Sequence, residues 1–310
     1  MTWRPAAVIL TAMSTYTTTS QRFEVDGETC AASIHLPAGQ DQTDRPGVVL
    51  VHGYGCTRAM RLDPYVAGLT DAGFAVLTYD PRTIGDSEGL PRNLVDPARL
   101  VADAQGAVDA LRAVDGVGPV GIVGFSFGGG IAIEVAAQDQ SLFALVHVVG
   151  FIAGHTRSEA ELAALGAAMQ ADLAAAAAGA PPVFVPICGA PGSAAVLPTA
   201  DAIDGFRLLD VGSVALNATP GRSLLAGAAF APGRSLPNVG CPALFVVCEN
   251  DLDVNPDATL AAAGSHRHAE VFTYAGGHFD VFRPTAAGRW ARQIAGFLLR
   301  SRSGATAGAS

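Results

Sequence analysis

Charge is scarce in this sequence, and the signatures of several protein classes are missing from it. Charged residues make up 15% of the 310-residue chain, below the roughly 25% that is typical of globular proteins. The formal net charge is -9 at pH 7, and no cluster of Lys or Arg offsets it. Because nucleic acids are bound largely through basic side chains, this composition argues against a nucleic-acid partner.

Cysteine pairs and long apolar runs are also missing. The five cysteines show no CxxC spacing and cannot all pair within one chain. We therefore expect reduced thiols that fill space in the core of a cytoplasmic protein. No stretch is long enough to span a membrane, so no membrane association is expected. The start, MTWRPAAVIL, lacks a convincing cleavage site, and residues 1–20 are expected to form an N-terminal tail.

Short apolar runs rich in Val and Ile alternate with helical patterns through much of the chain. Runs that are apolar on both faces and separated by helices are typical of a parallel sheet covered on both sides. The predicted fold class is therefore α/β, with a doubly wound, mostly parallel sheet. Before it, alternation around Asp26 and Gly27 indicates an antiparallel hairpin at the sheet edge. The predicted strands are 47–53, 74–80, 120–126, 143–150, 243–250 and 270–276, and the predicted helices are 64–73, 97–114, 127–138 and 286–301.

The alternation stops between residues 151 and 240, a gap too long for a connecting loop. We interpret 151–240 as an inserted, mainly helical cap over the carboxyl edge of the sheet, where open α/β sheets bind ligands. A peripheral surface excursion is the alternative. Within it, 158–179 begins with a capping serine followed by acidic residues, which is typical of a helix. Residues 21–150 and 241–302 then form the core, and 303–310 form a flexible C-terminal tail.

The stretch GIVGFSFGGG places Ser126 on a predicted strand-to-helix turn. The pattern G-x-S-x-G is weak by itself in a glycine-rich chain, so its position decides its meaning. Gly124 and Gly128 suit a strained turn in which a Cβ at either place would collide. The helix that begins at Phe127 directs its positive end and free N–H groups toward the serine oxygen. This context predicts that Ser126 is a nucleophile.

A serine nucleophile needs a base, and the base needs an orienting acid. Asp251 directly follows one predicted strand, and His278 lies just past the last one. Because parallel strands end at one edge of their sheet, we expect Ser126, Asp251 and His278 to meet there, in the chain order Ser, Asp, His. Asp253 is the alternative acid.

The turn in VLVHGYG and the start of the next helix predict an oxyanion hole made by the backbone N–H groups of Tyr54 and Phe127. Cys56, His147 and His155 are the candidate pocket residues, with core or loop packing as the alternative for each. The apolar, weakly charged cap favours a largely apolar small molecule as the substrate. No metal or other cofactor is expected, and a homodimer remains open as the oligomeric state.

The pieces HGYG, YDPRTIGDSEG, GFSFGGG, ENDLDVNP and GGHFD resemble those of α/β-hydrolases. The run that begins with YDPRTIGDSEG resembles a narrower branch of bacterial and fungal hydrolases related to dienelactone hydrolases and the peptidase S15 group, some of them tied to secondary metabolism. The resemblance implies a serine hydrolase that acts on an ester, thioester or lactone. This chain departs from the family in one place. In the family a proline commonly lies about four residues after the catalytic acid, whereas Pro256 lies five residues after Asp251 and three after Asp253.

Several other functions remain open for such a chain. An acyltransferase or lactonising cyclase would use the same triad, and related folds also cleave C–C bonds. A binding protein that keeps the fold without catalysis is the least favoured alternative, because all three triad residue types are present.

Overall fold

A computed structural model describes residues 16–39, 43–154, 158–210 and 216–307, with side chains described to residue 303. The strands are β1 (Tyr16–Val25), β2 (Glu28–Pro37), β3 (Arg45–Val51), β4 (Ala75–Tyr79), β5 (Val117–Phe125), β6 (Leu145–Val148), β7 (Phe184–Val185), β8 (Thr219–Pro220), β9 (Ala243–Cys248) and β10 (Ala269–Tyr274). The helices are α1 (Asp63–Asp71), α2 (Pro97–Arg112), α3 (Phe127–Gln138), α4 (Glu159–Ala177), α5 (Ala202–Leu209), α6 (Ser223–Ala229), α7 (Pro256–Gly264) and α8 (Pro284–Ala307). Two 3₁₀ helices span Pro232–Asn238 and His278–Phe282.

The main sheet has eight strands in the order β1-β2-β4-β3-β5-β6-β9-β10. In this order, each neighbouring pair from β4 onward is parallel, whereas β2 pairs antiparallel with both β1 and β4. The hairpin between β1 and β2 turns at Asp26 and Gly27, both of which have positive φ, as tight hairpin turns require. The predicted α/β fold class is confirmed.

The strands in the middle of the sheet are apolar on both faces because helices cover both sides. All seven residues of β3 are buried. Val48 and Leu50 belong to the core cluster that includes Trp290 of α8, whereas Val49 and Val51 belong to the cluster on the other face. Because alternate residues of a strand face opposite sides of the sheet, the apolar side chains of β3 contribute to the cores on both sides.

The structure corrects both predicted tails. Residues 16–20 belong to β1, where Tyr16 pairs with Pro37 and Ser20 with Ser33. At the other end, α8 continues to Ala307, so 303–307 is helical. Arg302, near the end of α8, donates hydrogen bonds to the backbone oxygen and carboxylate of Asp44. The rest of the predicted tails, 1–15 and 308–310, lies outside the described residues.

The segment 151–240 contains α4, α5, α6, the small β7-β8 sheet and a 3₁₀ helix. A capping box at Ser158 starts α4, as its sequence predicts. Asp172 of α4 is fully buried and accepts hydrogen bonds from the side chain and backbone N–H of Arg222 and from the backbone N–H of Val183. This ion pair links α4 to the start of α6. Within the described ranges, no helix is both long and apolar enough to cross a bilayer.

Candidate active site

Ser126 occupies a strained turn between β5 and α3. Its φ is 52° and its ψ is -125°, a conformation that residues with a side chain rarely adopt. A Cβ on Gly124 would meet the backbone of Gly128, and one on Gly128 would meet the carbonyl oxygens of Val51 and His52. The tight turn therefore depends on glycine at both flanking positions.

The structure brings Ser126, His278 and Asp251 into one chain of hydrogen bonds. His278 Nε2 lies 2.9 Å from Ser126 Oγ, and His278 Nδ1 lies 2.8 Å from Asp251 Oδ2. The other oxygen of Asp251 accepts the backbone N–H groups of Asp253 at 2.8 Å and Val254 at 2.9 Å. The carboxylate is thus fixed from behind while it holds the imidazole, which is the arrangement of nucleophile, base and orienting acid.

Asp251 determines the electrostatics of the buried His278 ring. Burial pulls the pKa of His278 down, but the charge and hydrogen bond of Asp251, together with the charges of Asp253 and Asp201, outweigh burial, so the pKa is raised above its ordinary value. The carboxylate therefore stabilises the imidazolium form, which is the form produced when the ring takes a proton from serine.

The predicted oxyanion turn lies against the nucleophile. A Cβ built on Gly53 would be 3.3 Å from Ser126 Cβ and 3.6 Å from Ser126 Oγ. Tyr54 and Phe127 line the same cavity as Ser126, and their rings pack edge to face with centroids 5.1 Å apart. The assignment of their backbone N–H groups to an oxyanion hole stays a prediction.

A cavity of about 400 Å³ opens from Ser126 between α4 and α6, and we call it the cap cavity. That volume is typical of small-molecule sites. Most of its wall is apolar. Its lining includes Tyr54, Ser126, Phe127, Phe151, Leu162, Leu165, Met169, Val196, Leu197, Leu224, Asp253 and Val254. A larger groove of about 800 Å³ lies on the other side of α6, against α2, and contains no residue of the hydrogen-bonded chain.

The three candidate pocket residues have different positions. Cys56 lines a small cavity of about 30 Å³ together with Ser126 and His278. Burial raises the pKa of its thiol to about 12, so Cys56 is a neutral wall residue and no rival nucleophile. His155 lies outside the described residues.

The pocket interpretation of His147 is corrected by the structure. His147 is fully buried in β6, is absent from the lining of both cavities beside Ser126, and packs against Phe245 at a centroid distance of 5.1 Å. A Cβ on either Gly129 or Gly150 would touch its ring. Burial lowers its pKa to about 4, so His147 is a neutral core residue.

Most residues of the cavity wall belong to no sequence motif. Leu162, Leu165 and Met169 of α4 share one face with spacing i, i+3 and i+7, and this spacing was the available signal. The contribution of Asp253 and its partner Thr199 had no comparable signal, because the two are brought together only by the folded chain.

One group among the described residues has the side chains and spacing to share a metal ion. Ligand atoms of Asp251, Asp253 and His278 lie within 4.8 Å of one another. In this group, His278 Nδ1 and Asp251 Oδ2 already bond to each other. This pairing is the one that a serine nucleophile requires of its base and acid.

Comparison with known proteins agrees with this geometry. The sequence pattern of the alpha/beta hydrolase family matches residues 48–289. The chain belongs to this family. It is similar to the quorum-quenching protein AidA of Acinetobacter baumannii (strain MDR-ZJ06), with 33% identity over 287 residues, 90% of this chain and 93% of that protein.

One further relative of this alpha/beta hydrolase and one solved structure are informative. Thiohydrolase aneE of Aspergillus aculeatus is 32% identical over 138 residues, which is 44% of this chain and 42% of that protein. The structure of DcsB in complex with its substrate analogue aligns with a TM-score of 0.81 at 21% identity, over 92% of this chain and 99% of that chain. The similarity to DcsB supports the fold. The narrower branch related to dienelactone hydrolases stays a prediction.

Proposed function

We propose that this alpha/beta hydrolase is a serine hydrolase that cleaves an ester, thioester or lactone through an acyl-enzyme. The observation that carries the proposal is the unbroken chain of hydrogen bonds from Ser126 through His278 to Asp251. The strained backbone of Ser126 is the second support, because such strain holds a nucleophile out from the turn.

Each residue then has one task. Ser126 Oγ attacks the carbonyl carbon while His278 Nε2 takes its proton, and Asp251 stabilises the imidazolium that results. The negative charge that develops on the carbonyl oxygen is received by the backbone N–H groups of Tyr54 and Phe127. His278 returns the proton to the leaving alcohol or thiol, and water releases the acyl group by the same steps.

The cap cavity supports a largely apolar substrate of small to medium size. Its wall is built mainly from Phe, Leu, Met and Val side chains, with Ser126 at one end. Apolar walls with a few polar groups fix a ligand through buried area and orient it through those groups. The relative Thiohydrolase aneE favours including thioesters among the substrates.

The test is turnover of matched acyl donors by the purified protein. A p-nitrophenyl ester, an N-acetylcysteamine thioester and a lactone of the same acyl group are compared in the parent, in Ser126→Ala and in Ser265→Ala. Ser265 is an exposed serine directly after α7, so its substitution controls for the change from serine to alanine itself. We expect activity in the parent and in Ser265→Ala, and its loss in Ser126→Ala. Parental turnover by Ser126→Ala on every accepted donor would refute the proposal.

The same assay separates hydrolysis from acyl transfer. An alcohol or amine acceptor is added, and the products are identified by mass spectrometry. Free acid as the main product supports hydrolysis. A transferred or cyclised acyl group as the main product would identify an acyltransferase or cyclase, since both reactions use the same acyl-enzyme.

A further inference from the structure

Asp253 is a second carboxyl group beside His278, and the proposed mechanism does not use it. It lies two residues after Asp251, in the loop that follows β9. Its side chain does not hold the imidazole, because His278 Nδ1 bonds to Asp251 Oδ2. A carboxylate oxygen of Asp253 nevertheless lies within 4.8 Å of the ligand atoms of Asp251 and His278.

Asp253 is buried and only half satisfied. The residue is 1% exposed. Its Oδ1 accepts a hydrogen bond of 2.8 Å from the hydroxyl of Thr199. Its Oδ2 is buried and has no hydrogen-bond partner among the described residues. Burying an unsatisfied carboxyl oxygen is costly, and an apolar side chain of similar size would avoid that cost.

The position of Asp253 indicates what such a group is for. Asp253 lines the cap cavity together with Ser126, in a wall that is otherwise mainly apolar. A few polar groups in an apolar pocket give orientation and specificity. A site built to hydrogen-bond a substrate group also rejects an analogue that lacks it, since the buried protein group is then left unpaired.

The charge of Asp253 narrows the chemistry of its ligand. Burial raises the pKa of this carboxyl, with the neighbouring carboxylates of Asp201 and Asp251 acting in the same direction, while His278 and the Thr199 hydrogen bond oppose the rise. The unpaired Oδ2 of the carboxylate form is an acceptor. A substrate hydroxyl can donate a hydrogen bond to it, whereas an alkyl or methoxy group cannot.

We propose that Asp253 is a specificity-determining residue that binds a hydroxyl group of the substrate close to the carbonyl attacked by Ser126. The closeness follows from the short path between Asp253, His278 and Ser126. The preferred substrate is then a hydroxyacyl ester or thioester in place of a plain alkanoyl one. This inference rests on the proposed serine hydrolase function.

The test compares three kinds of N-acetylcysteamine thioester that differ at one carbon: butanoyl, β-hydroxybutanoyl and β-methoxybutanoyl, the last two each in both enantiomers. The methoxy group withdraws electrons much as the hydroxyl does, but it cannot donate a hydrogen bond. Values of kcat/KM are measured for the parent, Asp253→Asn and the matched control Asp257→Asn, whose aspartate is exposed on α7. For each variant, kcat/KM of each thioester is divided by kcat/KM of the butanoyl compound. Comparing these ratios between variants cancels the intrinsic reactivity of the thioesters.

We expect the parent and Asp257→Asn to prefer one β-hydroxy enantiomer over both the butanoyl and the methoxy compounds by at least about tenfold, the range of a hydrogen bond to a charged group. In Asp253→Asn the preference should shrink at least about tenfold. The amide oxygen of Asn can still accept from Thr199, so the local fold is retained. Circular dichroism and thermal unfolding check this.

Two results would overturn the inference. One is a parent that treats the three thioesters alike, and the other is a hydroxyl preference that Asp253→Asn leaves unchanged. If Asp253→Asn removes an advantage of an N-acetylglycyl thioester but none of a hydroxyacyl one, the ligand is an amide and the proposed chemistry is wrong. If Asp253→Asn is unfolded, the parent's selectivity decides by itself, since equal treatment of the substrates refutes the proposal.

Failure of the underlying function has a different signature. Turnover of all three thioesters by Ser126→Ala at the parental rate would refute the serine hydrolase and this inference together. Turnover that depends on Ser126 but not on the hydroxyl would refute this inference alone.

Discussion

Replacing Asp251 by Asn should disable the base while leaving the shape of the site unchanged. Oδ1 of Asp251 accepts two buried backbone N–H groups, from Asp253 and Val254. In Asp251→Asn the amide oxygen must stay on that side, which turns the amide NH₂ toward His278 Nδ1. Nδ1 must then accept a hydrogen bond, so Nε2 carries the ring proton and cannot take one from Ser126.

The structure also gives the size of this effect. Turning the amide over would restore the working tautomer but leave two buried donors unsatisfied, at about 1–3 kcal/mol each. A total of about 4 kcal/mol limits the working form to roughly one molecule in 1,000. We therefore expect kcat to fall by about 1,000-fold in Asp251→Asn.

The assay is kcat on the butanoyl thioester for the parent, Asp251→Asn and Asp253→Asn. Asp253→Asn keeps the bond between Asp251 and His278, so we expect it to lose less than about tenfold in kcat on the butanoyl thioester. The opposite pattern, with Asp253→Asn losing about 1,000-fold and Asp251→Asn almost nothing, would refute the reasoning and identify Asp253 as the orienting acid.

Three further predictions concern pH, the serine turn and the cap. Because the pKa of His278 is raised, the ring stays protonated to a higher pH. The acid limb of the pH profile of kcat/KM should therefore lie above the ordinary histidine pKa of about 6.5. An acid limb at or below that value would contradict this. Gly128→Ala forces a Cβ against two backbone oxygens and should lower stability by about 1–3 kcal/mol in thermal unfolding, whereas Gly264→Ala, with open space around its Cβ, should not; equal melting temperatures would count against the turn described. Asp172→Leu removes the buried acceptor of the Val183 and Arg222 backbone N–H groups and of the partly exposed Arg222 guanidinium, and it should cost about 1–3 kcal/mol for each unsatisfied backbone N–H. Denaturant unfolding measures this cost, and an unchanged midpoint would contradict the role of Asp172.

The core and the hydrogen-bonded chain could be predicted because their signals are local. Ser126, Asp251 and His278 each follow a strand whose apolar run is readable, and parallel strands end at one edge of the sheet. Gly124 and Gly128 mark the turn through the space that a side chain would need. These features depend on neighbouring residues, so the sequence alone is enough.

The wall of the cap cavity and its polar contacts could not be predicted because they depend on packing between residues far apart in the chain. Thr199 and Asp253 are 54 residues apart, and only the folded chain brings them into contact. The pocket interpretation of His147 was wrong for a related reason. Its strand is readable from sequence, but the surroundings of its ring depend on how Gly129, Gly150 and Phe245 pack around it.

The central claim is that Ser126 is activated by His278, and labelling with a fluorophosphonate tests it most directly. The intact mass of the protein is followed over time, and the adduct is located by peptide mapping, in the parent and in His278→Ala. We expect one adduct, on Ser126, which forms much more slowly in His278→Ala. An adduct on another residue, labelling that is equally fast without His278, or no adduct in protein shown to be folded would contradict it.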